Sequence, residues 1–250
     1  MKKRFSNRRE AGKCLAENLS IYVNRDDVVA LALPRGGVPV AAEVAKRLKV
    51  PLDVFVVRKL HFPDHLKLTV GAIATGGVRL TDRDVVEAWQ IPELVIDAVA
   101  AKEQEELTRL ERIYRGDLPP QELQGKTVIL VDDGIATGST VVAAVAALRQ
   151  VPAARIIVGV PVIAGSSYCR IRQAADDVAA IIVPEEFHNV SEWYEDFSLT
   201  SDDEVHRLLA EAAQRLLANS KHESQAPKNR SVYDVAQLKA KSQIAASRPS

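Results

Sequence analysis

The sequence predicts an α/β protein: a doubly wound, mainly parallel sheet with helices on both faces. Three observations carry that expectation. Short continuous apolar runs recur at 28–33, 128–131, 155–160 and 178–183, the texture of strands buried on both sides. Helical stretches alternate with them, which implies βαβ units and right-handed crossovers. Two runs end in glycine-bearing loops that lead directly into a helix, at 33–37 and 131–140. In such sheets ligands sit beyond the carboxyl ends of the strands.

Taken in order, Asn7 with Glu10 three residues on opens a helix running to about Leu19. The strand 28–33 feeds a helix from 38 to 48, and 52–57 is the next strand. Residues 59–69, with Pro63 and mixed charge, read as irregular. Residues 70–74 and 78–80 read as short strands around Thr75-Gly76-Gly77, a hairpin signal. The pattern from 82 to 114 is helical and broken at Pro92; Leu107, Leu110 and Tyr114 share one stripe and most charges form a solvated face. Gly116 and Pro119-Pro120 end it. Strands at 128–131, 155–160 and 178–183 follow, with helices at 141–148 and about 166–174 between them. After Pro184 the texture changes, and 187–197 gathers aromatics in a chain that is only 5% aromatic. Residues 200–204 cap a helix to about Ala218. The polar stretch 220–250, with Pro227 and Pro249, reads as a flexible tail beyond a domain spanning 1–219.

Composition narrows the function classes. The chain has 250 residues and a formal net charge of zero, so no general electrostatic grip on nucleic acid or an anionic membrane is indicated. The two cysteines, Cys14 and Cys169, offer no disulfide framework. No stretch approaches the length of a membrane span, and the basic N-terminus lacks the apolar core of a signal peptide. A cytoplasmic location is the default reading. His61 and His65 flank Pro63, which argues against a helical metal pair, and no metal site or Ser-His-Asp arrangement stands out.

The chemistry concentrates in Val128-Ile-Leu-Val-Asp132-Asp133-Gly134-Ile-Ala136-Thr137-Gly138-Ser139-Thr140. Unpaired amides at a helix N-terminus suit a phosphate. Carboxylates at the strand tip suit hydroxyl groups, which donate to them. One loop therefore has the composition to hold a phosphorylated sugar by both ends. A P-loop would need a Lys before Ser139-Thr140, and a dinucleotide fingerprint would need different glycine spacing. A plain strand-to-helix turn does not explain two adjacent acids, which repel each other without a cation or ligand. The other loop, Leu33-Pro34-Arg35-Gly36-Gly37, combines exposed amides with a fixed positive fork.

The 128–140 segment closely resembles the 13-residue binding motif for phosphoribosyl pyrophosphate (PRPP) in type I phosphoribosyltransferases. The likeness extends over about 5–216. It includes Phe5-x-Asn7-Arg8-x-Glu10-Ala11-Gly12, Leu31 to Val40, Gly71-Ala72-Ile73-Ala74, and Trp193-Tyr194-x-Asp196-Phe197 with Asp203-Glu204-Val205. These resemble a bacterial and archaeal subgroup of stand-alone or hydrolase-fused members. Lys67 departs from the acidic residue usual there.

The resemblance implies the type I fold with a small hood, mainly 184–200 plus N-terminal elements, and a C-terminal helix. It implies Asp132 and Asp133 on the ribose hydroxyls, and Gly134 and Ala136 to Thr140 around the 5-phosphate. It implies Arg35, Gly36 and Gly37 on pyrophosphate, Lys59 as its counter-charge, and about 61–80 as the flexible catalytic loop. Mg²⁺ would arrive bound mainly through PRPP. The partners implied are PRPP and a small-molecule acceptor, with a homodimer as one assembly the family allows. The runner-up reading is a PRPP- or nucleotide-sensing regulator with little transferase activity. A hydrolase reusing the cradle would need a water-activating base that the sequence does not reveal.

Overall fold

The computed structural model describes residues 4–63 and 65–225. Helix α1 (Arg8–Asn18) starts on Asn7, whose side chain accepts the amide of Glu10, as the capping pattern predicts. Strand β1 (Val28–Ala32) leads into α2 (Gly37–Leu48) and then β2 (Leu52–Val54). A three-stranded antiparallel sheet follows: β3 (Val57–Phe62), β4 (His65–Ala74) and β5 (Val78–Thr81). Helices α3 (Arg83–Ala88) and α4 (Glu93–Arg115) return the chain to the main sheet, with Pro92 between them as the sequence indicates. The remaining core alternates: β6 (Thr127–Val131), α5 (Ser139–Leu148), β7 (Arg155–Val162), α6 (Gly165–Ala174) and β8 (Asp177–Ile182). A short 3₁₀ turn at Val190–Trp193 precedes α7 (Asp202–Gln225).

The main sheet is parallel, in the order β2-β1-β6-β7-β8. All five residues of β1 and of β6 are buried, which is why both read as unbroken apolar runs rather than alternating ones. Their side chains split between two cores. Ala30, Ala32, Ile129 and Val131 face the layer made by α1, α2, α4 and α7. Val29, Leu31, Val128 and Leu130 face the layer made by α5 and α6. The helix after β1 and the helix after β6 therefore lie on opposite faces. The crevice between β1 and β6 is the topological switch point, where sheets of this kind bind ligands.

Two expectations need correction. The run 52–57 is not one strand. It leaves the main sheet at Phe55-Val56, and Val57 starts the second sheet. Apart from Asp53 the run is apolar, and Phe55 is fully buried at the junction, so hydropathy carries no sign of the break. The segment 59–69 is not irregular. It forms most of the β3–β4 hairpin, bulged at Leu60–His61–Phe62, with Leu60 and Val70 buried in the core. Pro63 sits at the turn, where proline is favoured, instead of breaking a regular element. His61 and His65 are exposed on this hairpin; the His65 ring lies beside Phe62 and Trp89.

The chain divides into two compact units, 1–216 and 217–250. Helix α7 continues beyond the expected stop at Ala218, to Gln225. From residue 226 the expected tail lies outside the described residues.

The aromatic segment packs as a small third core. Trp193 and Tyr194 are each 4% exposed and cluster with Phe5, Ala11 and Val162. Phe5 donates its amide to Trp193 and bridges to Tyr194, so the N-terminus and the 187–197 segment are held together.

A buried ion network ties α4 to β2. Arg115 donates to Asp53 at 2.7 Å and to the Val54 carbonyl at 2.9 Å, and lies 3.1 Å from Glu111. The second Asp53 oxygen accepts the Gln121 amide.

Candidate active site

Two loops diverge from one backbone rung. Leu33 donates its amide to the Val131 carbonyl at 2.9 Å, and beyond that bond β1 and β6 pass into the loops 34–36 and 132–138. The Pro34–Arg35 peptide is cis. Gly36 has ordinary right-handed helical dihedrals, so its glycine is not required by φ. Space requires it: a Cβ there would lie 2.1 Å from Asp133 Oδ2. A Cβ on Gly37 would lie 2.7 Å from the Val131 carbonyl oxygen and 3.0 Å from the Asp132 Cα. A side chain at Gly36 would displace the Asp133 carboxylate, and one at Gly37 would press on the β6 backbone.

The second loop forms a cradle. Ile135 donates its amide to Val162 at 2.9 Å, and Ala136 accepts from the Ser167 hydroxyl on α6 at 2.5 Å. Gly134 lies beneath Val190 and Val162, where a Cβ would come within 2.5 Å of Val190 Cγ1. Gly138 caps α5 with a φ of 71°, left-handed backbone that glycine adopts without steric cost. The first-turn amides of α5, from Ser139, Thr140 and Val141, have no intrahelical acceptor and mark the positive end of the helix. The Thr137 and Ser139 hydroxyls lie 3.3 Å apart, and Lys59 on β3 donates to Ser139 Oγ at 2.6 Å. An ammonium, hydroxyls and helix-terminal amides thus converge, which is the chemistry of a phosphate subsite.

Asp132 and Asp133 sit half-buried at the tip of β6. Desolvation, then the charge of Asp133, pushes the Asp132 carboxyl well above its usual value. Desolvation also raises Asp133, opposed by a hydrogen bond from Arg8. Arg8 Nε donates to Asp133 Oδ2 at 2.8 Å, and the Asp133 amide donates to Asp132 Oδ1 at 2.9 Å. The Tyr194 hydroxyl donates to the Asp133 carbonyl.

Arg35 points away from the acids. Its Nη1 lies 3.5 Å from Asp202 at the start of α7. Tyr114 lies close by; burial and then the Asp202 charge push its hydroxyl up to about 12. Together with Arg58, Arg109, Leu110 and Thr140 they line a cavity of about 340 Å³. Arg58 and Arg109 are each held by an acid of α4, Glu103 and Glu106 respectively.

Of the residues singled out from sequence, Gly36, Gly37, Asp132 and Asp133 meet at the switch point. Gly134, Ala136, Thr137, Gly138, Ser139 and Thr140 form the adjoining cradle. Lys59 reaches the cradle at Ser139 and not the 34–37 loop. Lys67 is exposed on β4. Sequence reasoning misses Arg8, Tyr194 and Asp202 as site residues. Arg8 carries a local signal: a cation in the first turn of a helix, at its positive end, where helix stability disfavours it.

Comparison with known proteins agrees with this geometry. Residues 6–197 match the family model of the phosphoribosyl transferase domain. A protein of Mycobacterium tuberculosis (strain ATCC 25618 / H37Rv), provisionally named as a phosphoribosyl transferase, is 42% identical over 217 residues, covering 84% of this chain and 49% of that protein. The chain thus spans about half the length of the curated relatives it matches. The crystal structure of TT1426 from Thermus thermophilus superposes with a TM-score of 0.73 at 36% identity, covering 83% of this chain and 98% of that one. No helix among the described residues is long and apolar enough to cross a membrane. Matched over most of its length and sharing that architecture, the chain belongs to the phosphoribosyl transferase domain family.

Proposed function

We propose that this protein transfers the 5-phosphoribosyl group of PRPP to a nitrogen acceptor, a base or related compound, and releases pyrophosphate. The observation that carries the reading is the contact between the two loops, with the Gly36 backbone against the Asp133 carboxylate. It puts an amide-rich turn beside paired acids, with a phosphate cradle at the end of the same loop.

In this reading Asp132 and Asp133 accept from the ribose 2- and 3-hydroxyls. The 136–140 amides and hydroxyls hold the 5-phosphate. Arg35, released from Asp202, joins Gly36 and Gly37 at the pyrophosphate, and Lys59, released from Ser139, moves to it as the leaving group gains charge. Bond breaking at C1 runs ahead of bond making, so the transition state resembles an oxocarbenium ion. The chain's work is positioning, neutralising the leaving group and offsetting positive charge near C1 with the paired acids. The segment at about 61–80, which the resemblance makes the catalytic loop, closes over the site and excludes water.

Among the described residues no group of three or more His, Cys, Asp or Glu side chains is placed to hold a metal. In this reading Mg²⁺ would arrive held mainly by PRPP oxygens and waters and would neutralise pyrophosphate charge. A pyrophosphate-release screen with PRPP, Mg²⁺ and a panel of purine, pyrimidine and related acceptors tests the proposal. Release with at least one acceptor is expected. Failure to bind PRPP in calorimetry would overturn it, and tight binding without release from any acceptor would favour a PRPP sensor.

A further inference from the structure

We propose that Arg8 is a positioning residue that aims the Asp133 carboxylate at the ribose and ties it to the hood segment 194–198. The inference rests on the PRPP reading of the site and deepens it.

Arg8 lies in the first turn of α1 and is 8% exposed. A buried cation at the positive end of a helix is unfavourable on two counts, burial and dipole. Two of its partners lie far from α1 along the chain. Nε donates to Asp133 Oδ2 at 2.8 Å, and Nη1 donates to the Ser198 carbonyl at 2.7 Å. The guanidinium carbon lies 3.8 Å from the centre of the Phe197 ring. One planar group thus grips a carboxylate, a carbonyl and an aromatic face at once.

The consequence for Asp133 is a fixed orientation. With Oδ2 committed to Arg8 and packed against Gly36, Oδ1 is the oxygen left for a ligand hydroxyl. Tyr194 holds the main-chain carbonyl of the same residue. Asp133 is therefore fastened to the hood through both its side chain and its backbone. The hood and the ribose-holding acid move together, which keeps an acceptor seated under the hood in register with C1. The task needs a guanidinium. A lysine supplies the charge but not two divergent N–H donors on a flat, stackable plane.

The test is a double-mutant cycle read by calorimetric PRPP affinity with Mg²⁺, with melting curves as folding controls. The proteins are the wild type, Arg8→Met, Arg8→Lys, Asp133→Asn and the Arg8→Met/Asp133→Asn pair. Arg8→Met is expected to weaken PRPP binding about tenfold or more, the usual scale for losing a hydrogen bond to a charged partner. Arg8→Lys recovers only part of the loss. In the Asp133→Asn background the Arg8→Met change costs little, because Arg8 acts through that carboxylate. Wild-type affinity in Arg8→Met, or equal costs in both backgrounds, overturns the inference and leaves the PRPP reading standing. Absence of PRPP binding by the wild type overturns both. Should Arg8→Met fail to fold, the cycle is run with Arg8→Lys, and additivity there overturns the inference equally.

Discussion

Gly36 and Asp133 are in contact across the switch point: a methyl group on Gly36 would fall 2.1 Å from a carboxylate oxygen of Asp133. The two residues belong to different loops, and the glycine leaves room for the carboxylate of the other. Gly36→Ala is expected to cost about 1–3 kcal/mol of stability, the usual range for overpacking a tight site. It should also weaken PRPP binding, because the acid must swing away. Denaturant melts and calorimetry on the variant check both outcomes; unchanged PRPP affinity would show that Asp133 has room to relax.

Asp132 illustrates a conflict between stability and function. Its carboxyl is pushed up by burial and by Asp133, so the folded protein holds that proton more tightly than the unfolded chain does. The associated stability is full below the ordinary value of 3.8 and is lost as pH rises through the raised value. Asp132→Asn carries no such loss. Its melting temperature should match the wild type near about pH 4 and exceed it by about 2 °C or more near about pH 8. PRPP binding should weaken at the same time. A melting difference that stays flat with pH would contradict the assignment.

Lys59 is expected to matter more in the transition state than in the ground state. A cation approaching a leaving group gains most as charge develops there. Once an acceptor is known, Lys59→Ala should lower kcat more than it raises KM. A change confined to KM would make Lys59 a binding residue, in keeping with its resting contact to Ser139.

The Arg115–Asp53 pair makes a prediction about stability alone. Both residues are buried, and removing one strands the other's charge. Arg115→Met should cost about 3–5 kcal/mol, the scale for leaving a buried charge without its partner. The double change Arg115→Met with Asp53→Leu should recover much of it. PRPP affinity measured below the melting transition should stay close to wild type in both.

The main sheet was legible because its strands are buried on both faces, and burial of that kind writes itself as unbroken apolar runs such as Val28–Ala32. The capped start of α1 and the break at Pro92 were legible because caps and prolines act locally. The split between β2 and β3 was not, since Phe55 and Val56 stay buried while the chain changes sheets. Asp132, Asp133 and the glycines announced themselves as a contiguous motif. Arg8 did not, because its partner Asp133 lies 125 residues away along the chain. Pairing at that separation is a product of the topology and leaves little local trace.

The rung from Leu33 to Val131 is a bond between two peptide groups. It sets the gap between the two loops without calling on any side chain, so substitutions at either residue that still pack leave the gap alone. The hood is fastened by both kinds of contact: main-chain bonds join Phe5 to Trp193 and Glu195, and a guanidinium, a phenol and a few rings add to them. Of the two kinds of contact, only the side-chain ones depend on which residues are present. In the proposed reading the spacing of the two loops that handle the phosphorylated sugar is set by main-chain geometry, whereas the ring contacts of the hood can change by ordinary substitution. On that reading the hood can change in small steps while the gap between the loops stays fixed.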